Sequence, residues 1–343
     1  MEPSNQLNQS SPSIPPNNSR KRTLLVVGII TGIVLLSVLI ILILSKRAIL
    51  KSNLPEITLN NGSVNGSFTW EQFGFDPQNT GQIPFTGPQT NKVKWIYKLG
   101  STSCGFQTQA TPVVLDGSGN LYFGTSEGSL ISLDPQMRKR WEYKLPDAYP
   151  RTNCKDGYEP GALSDRNIDY SPVLSNGQII FGTSGQKNAK KIYSLDLNGK
   201  LVWSYGIDGV LESHIKLGSN NRIYFTTATT LYALTDKGTD VKTYPVVGKL
   251  NVPAIGSDGS VYVCSAEGLL ALASDLKLKW VFNQTQNLRT CMSAVDPKTN
   301  VIYFPYKNTG KNIYKLYALN SDGSLKWNTD IYWSESAPAI GND

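Results

Sequence analysis

An all-β fold made of repeated four-stranded antiparallel sheets is predicted for this 343-residue chain by three features of the sequence. A phrase of aromatic and β-branched residues recurs along it. Turn dipeptides separate the runs at regular intervals. Tryptophans return at near-constant spacing. Repeats of this kind decide architecture before other signals do. The clearest copy is GNLYFGTSEGSLISLDPQMRKRWEY at 119–143. Others start at Gly177, Asn221, Gly259 and Asn300.

Within a copy, each element has a local reason. Short apolar runs such as Leu121-Tyr122-Phe123 and Val261-Tyr262-Val263 suit a pleated strand, here named B. A small polar turn follows, as in Ser126-Glu127-Gly128. A second run, 130–133, 192–195 or 316–319, gives strand C. Asn198-Gly199 and Asp322-Gly323 are reversal dipeptides leading to strand D. Strand D carries Trp141, Trp203, Trp280 or Trp327. Strand A precedes each copy, at 111–115, 171–174, 214–217, 252–255 and 292–295. Between Trp203 and Trp280 two units fit if Val241 or Lys242 stands where a Trp is missing. A single such sheet cannot bury both faces. Arranging copies around an axis does so and leaves only short edges, the plan of a β-propeller. Trp95, Trp141, Trp203, Trp280 and Trp327 are then expected to pack between blades.

The repeat resembles that of the pyrroloquinoline-quinone-like (PQQ-like) β-propeller family, from Trp70 onward. That family has a docking phrase A-x-D-x-x-T-G-x-x-x-W. Ser194, Asp196, Gly199 and Trp203 follow it, as do Ala318, Gly323 and Trp327, with Asn320 at the Asp position. Both copies are one residue short and lack the Thr. The opening stretch WEQFGFDPQNTGQIPFTGPQ, 70–89, looks like the first segment of secreted members. The resemblance implies a propeller fold. For the quinone enzymes of the family it implies PQQ and calcium at the channel mouth, often beside adjacent cysteines. This chain has no adjacent cysteines and is shorter than eight-bladed enzymes need, which favours a scaffold without catalysis, as in the propeller lipoprotein of outer-membrane barrel assembly.

Ahead of the repeats, residues 1–22 read as a polar cytoplasmic tail. Residues 23–45 carry no charge across 23 positions, enough for a membrane-spanning helix. The run is longer than a cleavable leader's apolar region and lacks its small-residue end, so an uncleaved anchor is expected. Residues 46–68 form a flexible linker. The domain plan is tail, span, linker and a propeller over 69–343, with the propeller extracytoplasmic. Of 33 basic and 26 acidic residues, six basic and one acidic lie in the first 51. The remainder is nearly neutral, so no basic face for nucleic acid is expected.

Antiparallel order places A–B and C–D turns on one end of the ring and D–A and B–C connections on the other. The first set is uniformly short. The long connections, 101–110, 146–169, 185–191, 284–290 and 306–311, share the other face. Insertions gathered on one face suggest where a protein or polysaccharide partner binds. The longest offers Tyr149, Arg151, Tyr158, Glu159, Asp165 and Arg166, residue types common at interfaces. A solvated loop is the alternative reading.

The four cysteines, Cys104, Cys154, Cys264 and Cys291, contain no Cys-x-x-Cys, so zinc is not expected. In an oxidising compartment Cys104–Cys154 and Cys264–Cys291 are open pairings, with free thiols as the alternative. The single histidine, His214, lies on a strand A with no sign of a catalytic partner, and reads as packed or channel-lining. Asp116, Ser118, Asn120 and Glu127 only loosely match a calcium loop, because Leu121 stands where its glycine belongs, so DGSGN reads as a hairpin turn. No catalytic residue and no metal site are expected. No cofactor is expected either, with PQQ and calcium belonging only to the alternative reading of a quinoprotein dehydrogenase. Five blades are legible, with a further strand A after Trp333 and a strand D at 95–99 without its own A, B and C. The expectation is six to eight blades in a protein of which this is a part.

Overall fold

A computed structural model describes residues 69–83, 89–100, 108–146, 167–184, 190–246, 252–283, 291–308, 313–332 and 336–341. The chain divides into two compact units, Met1–Ser63 and Val64–Asp343, and all described residues belong to the second. The expected tail, membrane span and linker lie outside the described residues. Among the described residues, no helix is long and apolar enough to cross a membrane.

Five four-stranded antiparallel sheets follow one another in the chain, each in the order A-B-C-D. Blade 1 is Val114–Leu115, Leu121–Gly124, Ser129–Leu133 and Lys139–Lys144. Blade 2 is Val173–Ser175, Gln178–Gly182, Lys191–Asp196 and Leu201–Gly206. Blade 3 is Lys216–Leu217, Arg222–Thr226, Thr230–Thr235 and Lys242–Pro245. Blade 4 is Ala254–Ile255, Val261–Ser265, Gly268–Leu272 and Leu278–Phe282. Blade 5 is Ala294–Val295, Ile302–Asn308, Ile313–Leu319 and Leu325–Asp330. Strands A are two or three residues long, shorter than the sequence suggests. Prolines at 112, 172 and 253 open three of them and cannot donate to a ladder. In blades 1–4 strands B and C are almost wholly buried and strands D are mostly half-buried or exposed, while strand D of blade 5 is exposed throughout. Apolar burial between blades is therefore the main driving force of assembly.

The seams between blades repeat one device. The indole N–H of Trp141 donates to Leu197 O of the next blade at 3.0 Å. Trp203 donates to Asp236 O at 3.1 Å, and Trp280 to Ser321 O at 3.0 Å. Two residues after each acceptor comes a glycine with positive φ: Gly199, Gly238 and Gly323. The indole lies flat against it. A Cβ there would sit 2.7, 2.8 and 2.7 Å from the ring carbon Cδ2. The glycine is thus required twice, by the backbone angle and by the tryptophan.

The seam between blades 3 and 4 shows that tryptophan and glycine are a matched pair. Lys242, opposite Ala233 in the ladder, holds the position that Trp141, Trp203 and Trp280 hold elsewhere. Of the two positions open in the sequence, it is therefore Lys242 and not Val241. The facing turn carries Leu276 at φ 65° instead of glycine, and its side chain is buried in the seam. The turn carbonyl of Ser274 receives the Tyr224 hydroxyl at 3.1 Å instead of an indole. Trp327 and Trp95 do not share this seam geometry. Each is 40% exposed, and no turn of a following blade covers Trp327 among the described residues. Residues 93–99 form no sheet pairing, yet Tyr97 meets Phe123 at 6.2 Å much as Tyr143 meets Phe181 at 6.3 Å. They therefore sit on blade 1 as a strand D sits on the blade after it.

Two glycine substitutions separate the terms of the lock. Gly177 has positive φ but nothing within 4 Å of its would-be Cβ. Gly177→Ala should cost about 1 kcal/mol from backbone conformation alone. Gly199→Ala should cost about 2–4 kcal/mol, because Trp141 must also move. Urea unfolding midpoints of the two variants check the difference. Equal losses would mean that the indole contact contributes nothing.

Candidate functional site

The axis of the ring is occupied by the chain itself. Residues 69–83, the arm, follow the inner edges of successive strands A. Leu115 N–H donates to Trp70 O at 2.9 Å, and Leu174 N–H to Glu71 O at 2.8 Å. Leu217 N–H donates to the Gln72 side-chain oxygen at 2.9 Å. Ile255 N–H donates to Pro77 O and Val295 N–H to Gln78 O, both at 2.9 Å, and Ile340 N–H to Thr80 O at 3.2 Å. These six donors hold one register position in the P-V-V-L, S-P-V-L, H-I-K-L, V-P-A-I, M-S-A-V and A-P-A-I segments. Inner strands lack a partner on the axis side, and the arm supplies the missing acceptors.

Local sequence lets the arm turn so tightly. Gly74, Phe75, Asn79 and Gly81 all have positive φ. Asp76 accepts from the Thr80 amide at 2.9 Å and from its hydroxyl. The Asn79 amide group donates to Pro253 O at 3.2 Å and Ser293 O at 3.1 Å, tying the arm to blades 4 and 5.

Lys216 is the exception among the residues that precede the six donors. Val114, Val173, Ala254, Ala294 and Ala339 hold the same register position, and Lys216 replaces their small apolar side chain with an ammonium group. It is fully buried. Its Nζ donates to Phe73 O at 2.6 Å and Asp76 O at 2.7 Å. Burial pushes its pKa down to about 7, against an upward pull from the Asp76 charge. Two residues earlier, His214 stacks on Phe73, with centroids 3.9 Å apart and planes 3° apart. Tyr170 meets the same imidazole edge-on at 5.4 Å. His214 Nδ1 accepts the Ser171 N–H at 2.9 Å. Burial first, and then the Lys216 charge, holds the imidazole down to about 3. Its packing was legible in the sequence. Its contact with the arm was not.

Beside the arm on the tight-turn face lies a groove of about 320 Å³, walled by Glu71, Asp116, Asn176 and Asn221 among others. Asp116 accepts from Ser118 N–H, Asn120 N–H and the Tyr122 hydroxyl, the bonding of a hairpin turn. On the opposite side Cys264 and Cys291 form a disulfide between blades 4 and 5, with Cα atoms 5.9 Å apart. Cys104 and Cys154, and the interface candidates Tyr149, Arg151, Tyr158, Glu159, Asp165 and Arg166, lie outside the described residues. For PQQ and calcium the described residues are a poor fit. Phe73, Asn79 and Lys216 fill the axis where the arm crosses it, and no group of three or more His, Cys, Asp or Glu gathers as a metal site would among the described residues.

No protein-family model matches the chain, and no curated protein matches it. Solved structures do. A europium-containing methanol dehydrogenase is 10% identical with a TM-score of 0.52, over 80% of this chain and 62% of that one. BamB from Moraxella catarrhalis is 16% identical with a TM-score of 0.42, over 68% of this chain and 78% of its own. A quinohemoprotein alcohol dehydrogenase from Comamonas testosteroni is 12% identical with a TM-score of 0.43, over 77% and 67%. At 10% identity the likeness to the methanol dehydrogenase shows a shared fold.

The Lys216 environment predicts a pH slope. The unfolded lysine keeps its proton to about pH 10.4, whereas the folded one releases it near 7. Between these values the unfolded state holds more protons, so stability should rise with pH. Lys216→Met should flatten the rise of the urea midpoint between pH 7.5 and 9.5. A slope identical to that of the parent would exclude a depressed Lys216.

Proposed function

We propose that the chain is a membrane-anchored, extracytoplasmic β-propeller that binds a protein or polysaccharide partner through its long-connection face, without catalysis. The observation that carries this reading is the self-occupied axis. The polar groups that a propeller would aim at a small substrate, His214 and Lys216, are already committed to Ser171 and to the arm. The A–B and C–D turns are short throughout, so the long connections between strands leave from the opposite face. The uncharged stretch 23–45 supports the anchor, and the Cys264–Cys291 disulfide supports an oxidising compartment.

The test replaces residues 147–166 with a Gly-Ser linker and compares cross-linked capture by the two proteins in native membranes. The expected result is loss of one specific cross-linked species with an unchanged melting temperature. Undiminished capture would move the binding surface elsewhere. The enzyme reading is checked on the same preparations with PQQ and calcium. A raised melting temperature together with alcohol-dependent dye reduction would replace the scaffold reading with a quinoprotein dehydrogenase.

A further inference from the structure

The only histidine of the chain stands where the arm enters its tightest turn. His214 Nδ1 accepts a backbone N–H from Ser171, so its proton sits on Nε2 and the ring is neutral. Protonating Nδ1 would abolish that bond and leave the Ser171 amide facing an N–H. It would also bury a cation two residues from Lys216, a cost that attraction to the Phe73 ring face offsets only in part. Lys216 in turn holds the same stretch of arm through Phe73 O and Asp76 O. The surroundings hold little to compensate a charged imidazole. From blade 2 they present Tyr170, with Asp169 near its hydroxyl; from its own segment Glu212 and Lys216; and from the arm Phe73 and Asp76. No carboxylate bonds His214 among the described residues, and the Asp76 carboxylate is taken by Thr80.

We propose that His214 is an acid-sensitive latch: its protonation releases the arm from the axis of the propeller and opens the inner edges of the strands A. Burial supports the direction, since the imidazole in place is held far below its ordinary value. Release restores that value near 6.5. Each pH unit below it should then weaken docking up to tenfold. The freed axis would expose the inner-edge N–H groups, together with Lys216 and a charged His214.

The structure supplies a readout that separates release from unfolding. The amides of Leu115, Leu174, Leu217, Ile255, Val295 and Ile340 are bonded to the arm, whereas those of strands B and C are bonded within blades. Hydrogen exchange on the full chain, corrected for intrinsic rates, should show protection of the six falling about twentyfold from pH 7 to 5. Protection in strands B and C should hold. His214→Asn keeps an acceptor for Ser171 but cannot titrate, and His214→Phe keeps a stacking ring. Both should remove the pH dependence, whatever their protection at pH 7. The proposal is overturned if the six amides keep their protection at pH 5, if strands B and C lose theirs in parallel, or if either variant shows the parental acid response.

Discussion

The inner edge of each blade poses the constraint on which this structure rests. A strand A pairs with strand B on one side only, and its other row of backbone donors faces the ring axis. A buried amide without an acceptor costs about 1–3 kcal/mol, so six of them would cost more than most domains can spare. The arm answers all six with one polypeptide segment, using five backbone carbonyls and the Gln72 side chain. That segment has no regular secondary structure because its acceptors must follow a circle and not a line. Its positive-φ residues, Gly74, Phe75, Asn79 and Gly81, provide the curvature. The axis of the ring is therefore a polar feature satisfied by the chain, with the apolar burial displaced outward into the seams.

At the rim the requirement is different. Adjacent blades must be held at a fixed angle, and the Trp–Gly contact does so with a hydrogen bond and a flat face. Where Lys242 removes the tryptophan, Leu276 and Tyr224 divide its two roles between them, one filling space and the other bonding the turn carbonyl. The blade 4–5 seam adds a disulfide to its lock. Neighbouring seams thus reach similar closure by different means, which repeat proteins permit because each unit touches only its neighbours.

How legible this was depended on periodicity. Strands B, C and D were readable because aromatic and β-branched runs, reversal dipeptides and Trp141, Trp203, Trp280 and Trp327 recur at unit spacing. Strands A were overextended, since their prolines and the arm shorten the ladder in ways that a hydrophobic run does not record. The arm contact was not readable at all. Residues 70–82 occur once, without repeat or period, and their partners lie up to 260 residues away in sequence. One signal was available: aligning the A segments shows Lys216 among valines and alanines. A lysine at a core position implies a local acceptor set, and no other blade has one.

A self-occupied axis also changes what the histidine can mean. In an open channel, a histidine near a lysine would read as a site for a substrate. Here both groups face the protein's own backbone, His214 through the Ser171 amide and Lys216 through two carbonyls of the arm. The energy that holds the arm is correspondingly divided. The six amide contacts are indifferent to pH in the neutral range, because no ionisable group takes part in them. The Phe73–His214 stack and the Lys216 clamp are not indifferent, and they act on the one turn, 73–76, where the arm leaves the strand edges of blades 1–3 before reaching blade 4. Losing that turn would divide the arm into two short stretches, each with three edge contacts. Docking of each stretch would then bear its own ordering cost without help from the other. The cooperativity of the ring centre is thus concentrated in three side chains, two of which carry protons.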